Sequence, residues 1–525
     1  MRRRGLLLIM LASVHTAALN GLTAMHVFIE TNVRRSNAES NFFMVGLPDS
    51  AVRESRTRVV GALQNSEVIL PPNINVDINF APADVKKEGT GYDLPLAVAL
   101  VAAAGILPTG RLEKTMLVGE LGLDGSLRPI RGALPIAIKA REMEFESLIV
   151  PEENAREAAV VNRLKVFGAK DLASVLAFLR GEPALQQTEV DTRAEFMAAQ
   201  SVYVNDFAEV KGQQTVKRAM EVAAAGGHNI ILIGSPGCGK SMIAKRFPTI
   251  LPPLTLAESL ETTQIHSVAG KLHSTDTLIK TRPFRSPHHT VSDVALIGGG
   301  TNFNPGEISL AHNGVLFLDE FPEYNRSVLE TMRQPLEDRQ IQISRAKYSV
   351  TLPCSFQLVA AMNPCPCGYY NDPQRDCTCS PGQIQRYMNK ISGPLMDRID
   401  LQVEVMPVPL KALADAPAGE PSANIRERVV KARAIQSERF KDEPGIHCNA
   451  QMSTRLLNLY AQPDPEAMEY LMKAMTRLSL SARAYERVLK VARTIADLAA
   501  APTIQRLHIA EALSYRNLDR STWGE

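Results

Sequence analysis

The sequence predicts an α/β multidomain protein, and three observations carry that expectation. Residues 230–233 form a short apolar run that leads into a glycine-rich turn and then a helix-like stretch from Met242. That order, a strand buried on both faces, a loop and a helix, is the pattern of a P-loop α/β domain. The first third of the chain mixes alternating strands with helices, an α+β pattern. From Ile425 onward the periodicity is helical only. At 525 residues the chain is too long for one core, and length alone suggests about three domains. We place them at residues 1–183, 206–405 and 406–525, with a polar linker at 184–205. Hydrophobic residues are 45% and charged residues 22%, ordinary for a globular chain. A net charge of +2 excludes a global pull toward DNA or a membrane, so a nucleic-acid site has to be a local patch.

The chain starts with arginines at 2–4 and an apolar run to residue 12, which has signal-peptide character. The run is too short to span a bilayer, and strand-like residues 14–19 follow it directly. We read it as the first core strand behind a few extra residues, with Met10 as an alternative start. The expectation is a cytoplasmic protein with no membrane segment. Further on, residues 25–30 and 74–80 alternate like half-buried strands. Residues 49–64 read as a helix carrying Arg53, Arg56 and Arg58, which either contact phosphates or form a solvated face. Residues 94–104 form a buried, Ala-rich helix, and 117–127 a hairpin turning at Asp124 and Gly125.

The chemistry concentrates in the middle of the chain. Gly234, Ser235, Pro236, Gly237, Cys238, Gly239, Lys240 and Ser241 fit G-x-x-x-x-G-K-[ST]. Glycines there let backbone N–H groups close around phosphate oxygens, Lys240 reaches the β- and γ-phosphates, and the Ser241 hydroxyl binds Mg²⁺. The expected ligands are ATP and Mg²⁺. Residues 314–318 make an apolar strand that ends in Asp319 and Glu320. Downstream of a P-loop, Asp319 suits a Mg²⁺ ligand and Glu320 a general base that polarises the attacking water. A second buried strand, 357–362, ends at Asn363.

Seven cysteines are unevenly spread. Two C-x-C pairs, Cys365 with Cys367 and Cys377 with Cys379, lie nine residues apart. Four thiolates can close a tetrahedral Zn²⁺ site, and a Pro/Gly-rich loop with reduced cysteines is the alternative. Cys238, Cys354 and Cys448 carry no implied chemistry. A Pro/Ala-rich connection at 406–422 precedes helices at 425–440, 453–460, 465–476, 481–500 and 506–515. Leu489, Ala492, Ile495 and Ala496 recur at helical spacing, which is packing.

Residues 45–49, 81–84, 87–89, 93–95 and 119–122, together with the motifs above, resemble the YifB/ComM family. That family belongs to the magnesium-chelatase-like branch of AAA+ ATPases, and the resemblance runs from about Leu11 to Arg516. It implies an S5-like N-terminal domain related to the Lon protease domain, a central AAA+ core and a C-terminal helical lid. The Lon nucleophile position aligns with Gly91, and no Ser-Lys pair presents itself, so the domain reads as a non-proteolytic platform for nucleic acid or protein. The resemblance also implies that Asn363 is the first sensor, Arg398 an arginine finger and Arg483 the second sensor, with Arg487 as its substitute. A finger that acts on a neighbour's ATP implies a homo-oligomeric ring, and such rings are usually hexamers. Residues 282–300 resemble the helix-2 insertion. Residues 337–352 resemble the hairpin before the sensor strand, with Arg339, Arg345 and Lys347 as basic charges for a phosphate backbone. His288 and His289 read as pore contacts, metal ligands or a structured surface loop.

The function expected from this resemblance is a ring-forming AAA+ ATPase that moves on DNA, of the branch-migration helicase type used in recombination and natural transformation. Two other classes compete. An ATP-dependent protein unfoldase or protease would suit the Lon-like N-terminal fold and would be supported by a Ser-Lys dyad, and a metal-chelatase motor subunit would be supported by a copurifying metal-binding partner.

Overall fold

The computed structural model describes residues 11–36, 40–199, 203–300, 303–345, 348–408, 419–478 and 480–516. The readings on residues 1–10, including Met10 as a start, and on Lys347 lie outside the described residues. The chain forms two compact units, residues 1–198 with 256–280, and residues 199–255 with 281–525.

In the first unit the strands are β1 (Leu11–Asn20), β2 (Thr23–Arg35), β3 (Asn41–Val45), β4 (Ile74–Ala81), β5 (Thr115–Leu117), β6 (Glu120–Leu121), β7 (Leu127–Arg128), β8 (Ser147–Pro151), β9 (Lys165–Ala169) and β10 (Gln187–Thr188). Eight of them form one mixed sheet in the order β10-β9-β8-β5-β1-β2-β4-β3. β4 shows why: Ile74, Val76, Ile78 and Phe80 alternate into the core while their neighbours stay half-buried. The helix Ser50–Asn65 is capped by Asp49, whose carboxylate accepts from Val52 N at 2.8 Å. The Ala-rich helix Asp93–Ala103 is buried on every side, and β6 and β7 form the expected hairpin.

Three expectations change here. Residues 184–205 are not a bare linker, because β10 pairs with β9 and Thr192–Ala199 is a helix. Residues 256–280 belong to this unit and interrupt the 206–405 span. Buried Glu157 accepts from Leu134 N at 2.9 Å and from the Ser267 hydroxyl, and Thr277 donates to Glu195 at 2.9 Å. Arg58 is no free phosphate contact, since it grips fully buried Asp93 at 2.6 and 3.0 Å. Around Gly91, Lys87 donates to the carbonyls of Phe80 and Pro82, and Thr90 donates to Glu120.

The second unit is built on β11 (Ile230–Ile233), β12 (Phe284–Arg285), β13 (Val315–Leu318), β14 (Gln340–Arg345), β15 (Tyr348–Pro353), β16 (Gln357–Met362) and β17 (Leu401–Glu404). The central sheet is parallel throughout, in the order β12-β13-β16-β11-β17. β14 and β15 form a separate antiparallel hairpin. Residues 326–338 form two short helices, Arg326–Thr331 and Arg333–Asp338, because Pro335 has no amide to continue one ladder. The C-terminal helices are Ser422–Arg439, Thr454–Tyr460, Pro465–Arg477, Ala482–Leu498 and Arg506–Ser514. Ser453, Asp464 and Ser481 cap three of them. Their buried residues, including Val429, Leu489, Ala492 and Ile495, share one core with Ile230 and Leu232, so these helices are not a third separate unit.

A buried polar knot joins sheet and helices. Asp400, 1% exposed, accepts from Arg487 at 2.6 Å and Asn229 N at 3.2 Å, and faces His228 Nδ1 at 3.3 Å. His228 Nε2 meets the Thr494 hydroxyl at 2.8 Å. Burial pushes the Asp400 carboxyl up, but Arg487 and His228 outweigh it and hold the group well below the usual range. Burial pulls the His228 imidazole down. A depressed carboxyl and a depressed imidazole both stabilise the fold above their unfolded pKa values and lose that contribution as pH falls. We therefore expect the urea midpoint to drop in two stages, first below about pH 6.5 and again below about pH 4. His228→Gln should remove the upper stage; a midpoint in the parent chain that stays flat between pH 7.5 and 5 would contradict this.

Candidate nucleotide site

In a parallel sheet, loops at the carboxyl ends of neighbouring strands share one edge. Here β11, β16 and β13 are adjacent, so the turn after Ile233, residue Asn363 and the pair Asp319–Glu320 converge. Gly237 and Gly239 adopt φ values of +81° and +94°, which turn the chain tightly into the helix Lys240–Arg246. Lys240 is 8% exposed, and its ammonium donates to Gly234 O at 2.5 Å, Ser235 O at 3.0 Å and Asn363 Oδ1 at 3.1 Å. Burial pulls its pKa below the ordinary lysine value, against the opposing pull of Cys238 and Asp319. Phosphate oxygens at this position would repay that desolvation.

The Ser241 hydroxyl donates to Asp319 Oδ2 at 2.6 Å. Hydroxyl and carboxylate together are the hard oxygen donors that Mg²⁺ selects, so these residues fit the ion. Asp319 Oδ1 is bound by the amide of Glu320 at 3.0 Å, which directs its other oxygen to Ser241. Glu320 sits in the left-handed region at φ +52° with its side chain 59% exposed, aimed away from the packed strand end. His289 Nδ1 lies 3.0 Å from Glu320 Oε2, while His288 bonds Thr290 at 2.9 Å. His289 thus touches the proposed general base, a role that sequence spacing did not single out. Glu320 and Asn363 line a cleft of about 460 Å³ with Arg386 and Lys390 on its wall. Those two cations also escaped the sequence reading, because nothing in their spacing marks them.

The three arginines behave differently. Arg398 is 7% exposed, donates to Pro394 O at 2.6 Å and pairs with Glu337 at 2.5 Å. Arg483 is 67% exposed at its side chain and, among the described residues, meets Asp397 at 3.4 Å. Arg487 belongs to the Asp400 knot and is not the ligand-facing substitute. Among the hairpin cations, Arg339 is tied at the base to Ser355 Oγ at 3.0 Å. The four clustered cysteines come together, all ligand atoms within 4.8 Å of one another.

These geometries separate two neighbouring arginines. Arg487→Ala leaves a buried carboxylate unpaired and should cost about 3–5 kcal/mol in urea unfolding. Arg483→Ala should leave the unfolding midpoint unchanged and change only nucleotide turnover. Equal destabilisation by the two would refute the assignment.

Models described as magnesium chelatase, subunit ChlI, match residues 206–413 and 29–154, and the ChlI C-terminal model matches 419–516. An uncharacterised protein YifB from Salmonella typhimurium is 44% identical over 97% of this chain and 98% of its own. The competence protein ComM of Haemophilus influenzae is 42% identical, with coverage of 97% and 98%. A DNA replication licensing factor, mcm6 of Schizosaccharomyces pombe, is 24% identical over 47% of this chain and 29% of its own. The match in sequence, extending over nearly the full length of both bacterial relatives, shows that this chain belongs to the YifB/ComM family of magnesium-chelatase-like AAA+ ATPases.

Proposed function

We propose that this chain is a Mg²⁺-dependent ATPase that assembles as a homo-oligomeric, usually hexameric, ring and uses ATP hydrolysis to move on DNA, as a branch-migration helicase. The observation that carries the reading is the convergence of Lys240, Ser241, Asp319, Glu320 and Asn363 on one sheet edge. Lys240 would pair with the β- and γ-phosphates, and Ser241 with Asp319 would hold Mg²⁺. The ion, when bound, neutralises charge that develops on the phosphate oxygens. Glu320 takes the proton of the attacking water, and Asn363 orients that water. Arg398, held by Pro394 O and Glu337, is the guanidinium we assign to the next subunit's nucleotide. Arg483, exposed at the start of a helix, suits a second sensor.

In this reading the first unit is an S5-like platform, and the helices from residue 419 onward are the lid. The support for DNA is the names of relatives: a competence protein over almost the whole chain, and a DNA replication factor over part of it. The β14–β15 hairpin, which carries Arg345, is the element we assign to the polymer. No described helix is long and apolar enough to cross a membrane.

The expected result is an ATPase rate that rises with single-stranded, duplex or forked DNA. Glu320→Gln should lower turnover about 10²–10⁴-fold while nucleotide still binds. Stimulation by unfolded casein, with no response to any DNA, would replace this reading with a protein remodeller.

A further inference from the structure

Immediately after Asn363 the chain makes a detour whose chemistry the nucleotide site does not use. Buried Cys365 and half-buried Cys367, Cys377 and Cys379 form the cluster among the described residues whose ligand atoms could share one metal. Their sulfurs lie 3.3 Å (365 to 367), 3.6 Å (365 to 377) and 3.5 Å (367 to 377) apart. A disulfide needs about 2.05 Å, so these are four separate thiols. A tetrahedron of Zn–S bonds of about 2.3 Å has edges of about 3.8 Å, close to the observed spacing. Main-chain amides point at two of the sulfurs: Cys367 N at Cys379 Sγ and Cys379 N at Cys377 Sγ, both at 3.4 Å. Such donors favour negative sulfur, the form in which cysteine ligates metal. An all-sulfur tetrahedral set selects Zn²⁺ over the hard cations that suit Ser241 and Asp319.

The segment between the two pairs lies on the phosphate loop. A Cβ added to Gly368, which sits at φ +88°, would stand 2.7 Å from Pro236 Cδ, so the two loops are in close contact. Asp372 accepts from the Ser235 hydroxyl, and the amides of Gln374 and Arg375 hold the same carboxylate at 2.8 and 3.1 Å. Beyond Cys379, Ser380 starts the helix Pro381–Met388, which carries Arg386 to the cleft beside Glu320. One cluster therefore joins the sensor strand, the strap over the phosphate loop and a wall of the cleft.

We propose that Cys365, Cys367, Cys377 and Cys379 bind one Zn²⁺ through four thiolates, and that the ion clamps residues 368–376 onto the phosphate loop. On binding, the four thiols release their protons to solvent. The clamp half of the proposal rests on the reading of Gly234–Ser241 as the nucleotide loop; the metal half does not.

The test uses the full chain, purified anaerobically with reductant and without chelator. Elemental analysis should find one zinc per chain, and none in Cys367→Ser or Cys379→Ser. Cys354→Ser, at a buried cysteine outside the cluster, should retain it. Cobalt exchanged for zinc should give the intense visible spectrum of tetrahedral thiolate ligation. Stripping zinc from the parent chain, with circular dichroism to confirm that it stays folded, should weaken ADP binding about fivefold, the factor one lost hydrogen bond gives. Asp372→Ala should weaken ADP to the same extent while it keeps its zinc. No zinc and no cobalt spectrum would overturn the metal site, whatever the chain binds. Zinc present with equal ADP affinity in stripped and loaded chains would overturn the clamp. Zinc present in a chain that binds no ADP in either form would also overturn the clamp, and would refute the nucleotide reading itself.

Discussion

The constraint on which the nucleotide site depends is parallel pairing of β11 with β16, and of β16 with β13. Ile231 opposite Ala360, and Leu316 opposite Leu358, fix the register so that all three strands end at one edge. Once they do, two pairs of side chains far apart in sequence fall within hydrogen-bond reach: Lys240 with Asn363, and Ser241 with Asp319. The strands hold this register because every residue of β11, β13 and β16 is buried, and a slip would expose apolar side chains on both faces. A lysine buried at such an edge, whose ammonium donates to the Gly234 and Ser235 carbonyls and to Asn363 Oδ1, is poised for an anion.

The same sheet ties the site to the C-terminal helices. β17 pairs with β11 and begins just after Asp400, whose carboxylate is shared by Arg487 of the helix Ala482–Leu498 and by His228 at the start of β11. Arg398 lies two residues before that carboxylate and Arg483 one helical turn before Arg487. The fixed members of each pair, Asp400 and Arg487, therefore position Arg398, a buried arginine paired with Glu337, and Arg483, an exposed one. Replacing either fixed residue would disturb fold and site together, while replacing exposed Arg483 would touch only chemistry.

Much of this was legible in the sequence because phosphate chemistry needs contiguous residues. The loop Gly234 to Ser241 and the Asp319–Glu320 pair end apolar runs whose burial follows from composition alone. The helix starts at 453, 465 and 481 were legible because helical periodicity is local. Arg398, Arg483 and Asn363 were reached by resemblance, since no local rule distinguishes them. What escaped was non-local. Residues 256–280 join the first unit through Glu157 and Glu195, partners about 80 to 110 positions away. Arg58 and Asp93, His289 and Glu320, and Ser235 and Asp372 are pairs that only the folded chain reveals. The Cys-x-Cys pairs were visible, but their place against the phosphate loop was not.

In the proposed ring, Arg398 completes the nucleotide site of a neighbouring subunit. Mixing two inactive variants, Lys240→Ala and Arg398→Ala, tests it most directly. A subunit with an intact phosphate loop would then meet a neighbour with an intact finger, and ATPase activity should return in the mixture although each variant alone is silent. A mixture as inactive as its components, under conditions in which both variants assemble together, would contradict the account.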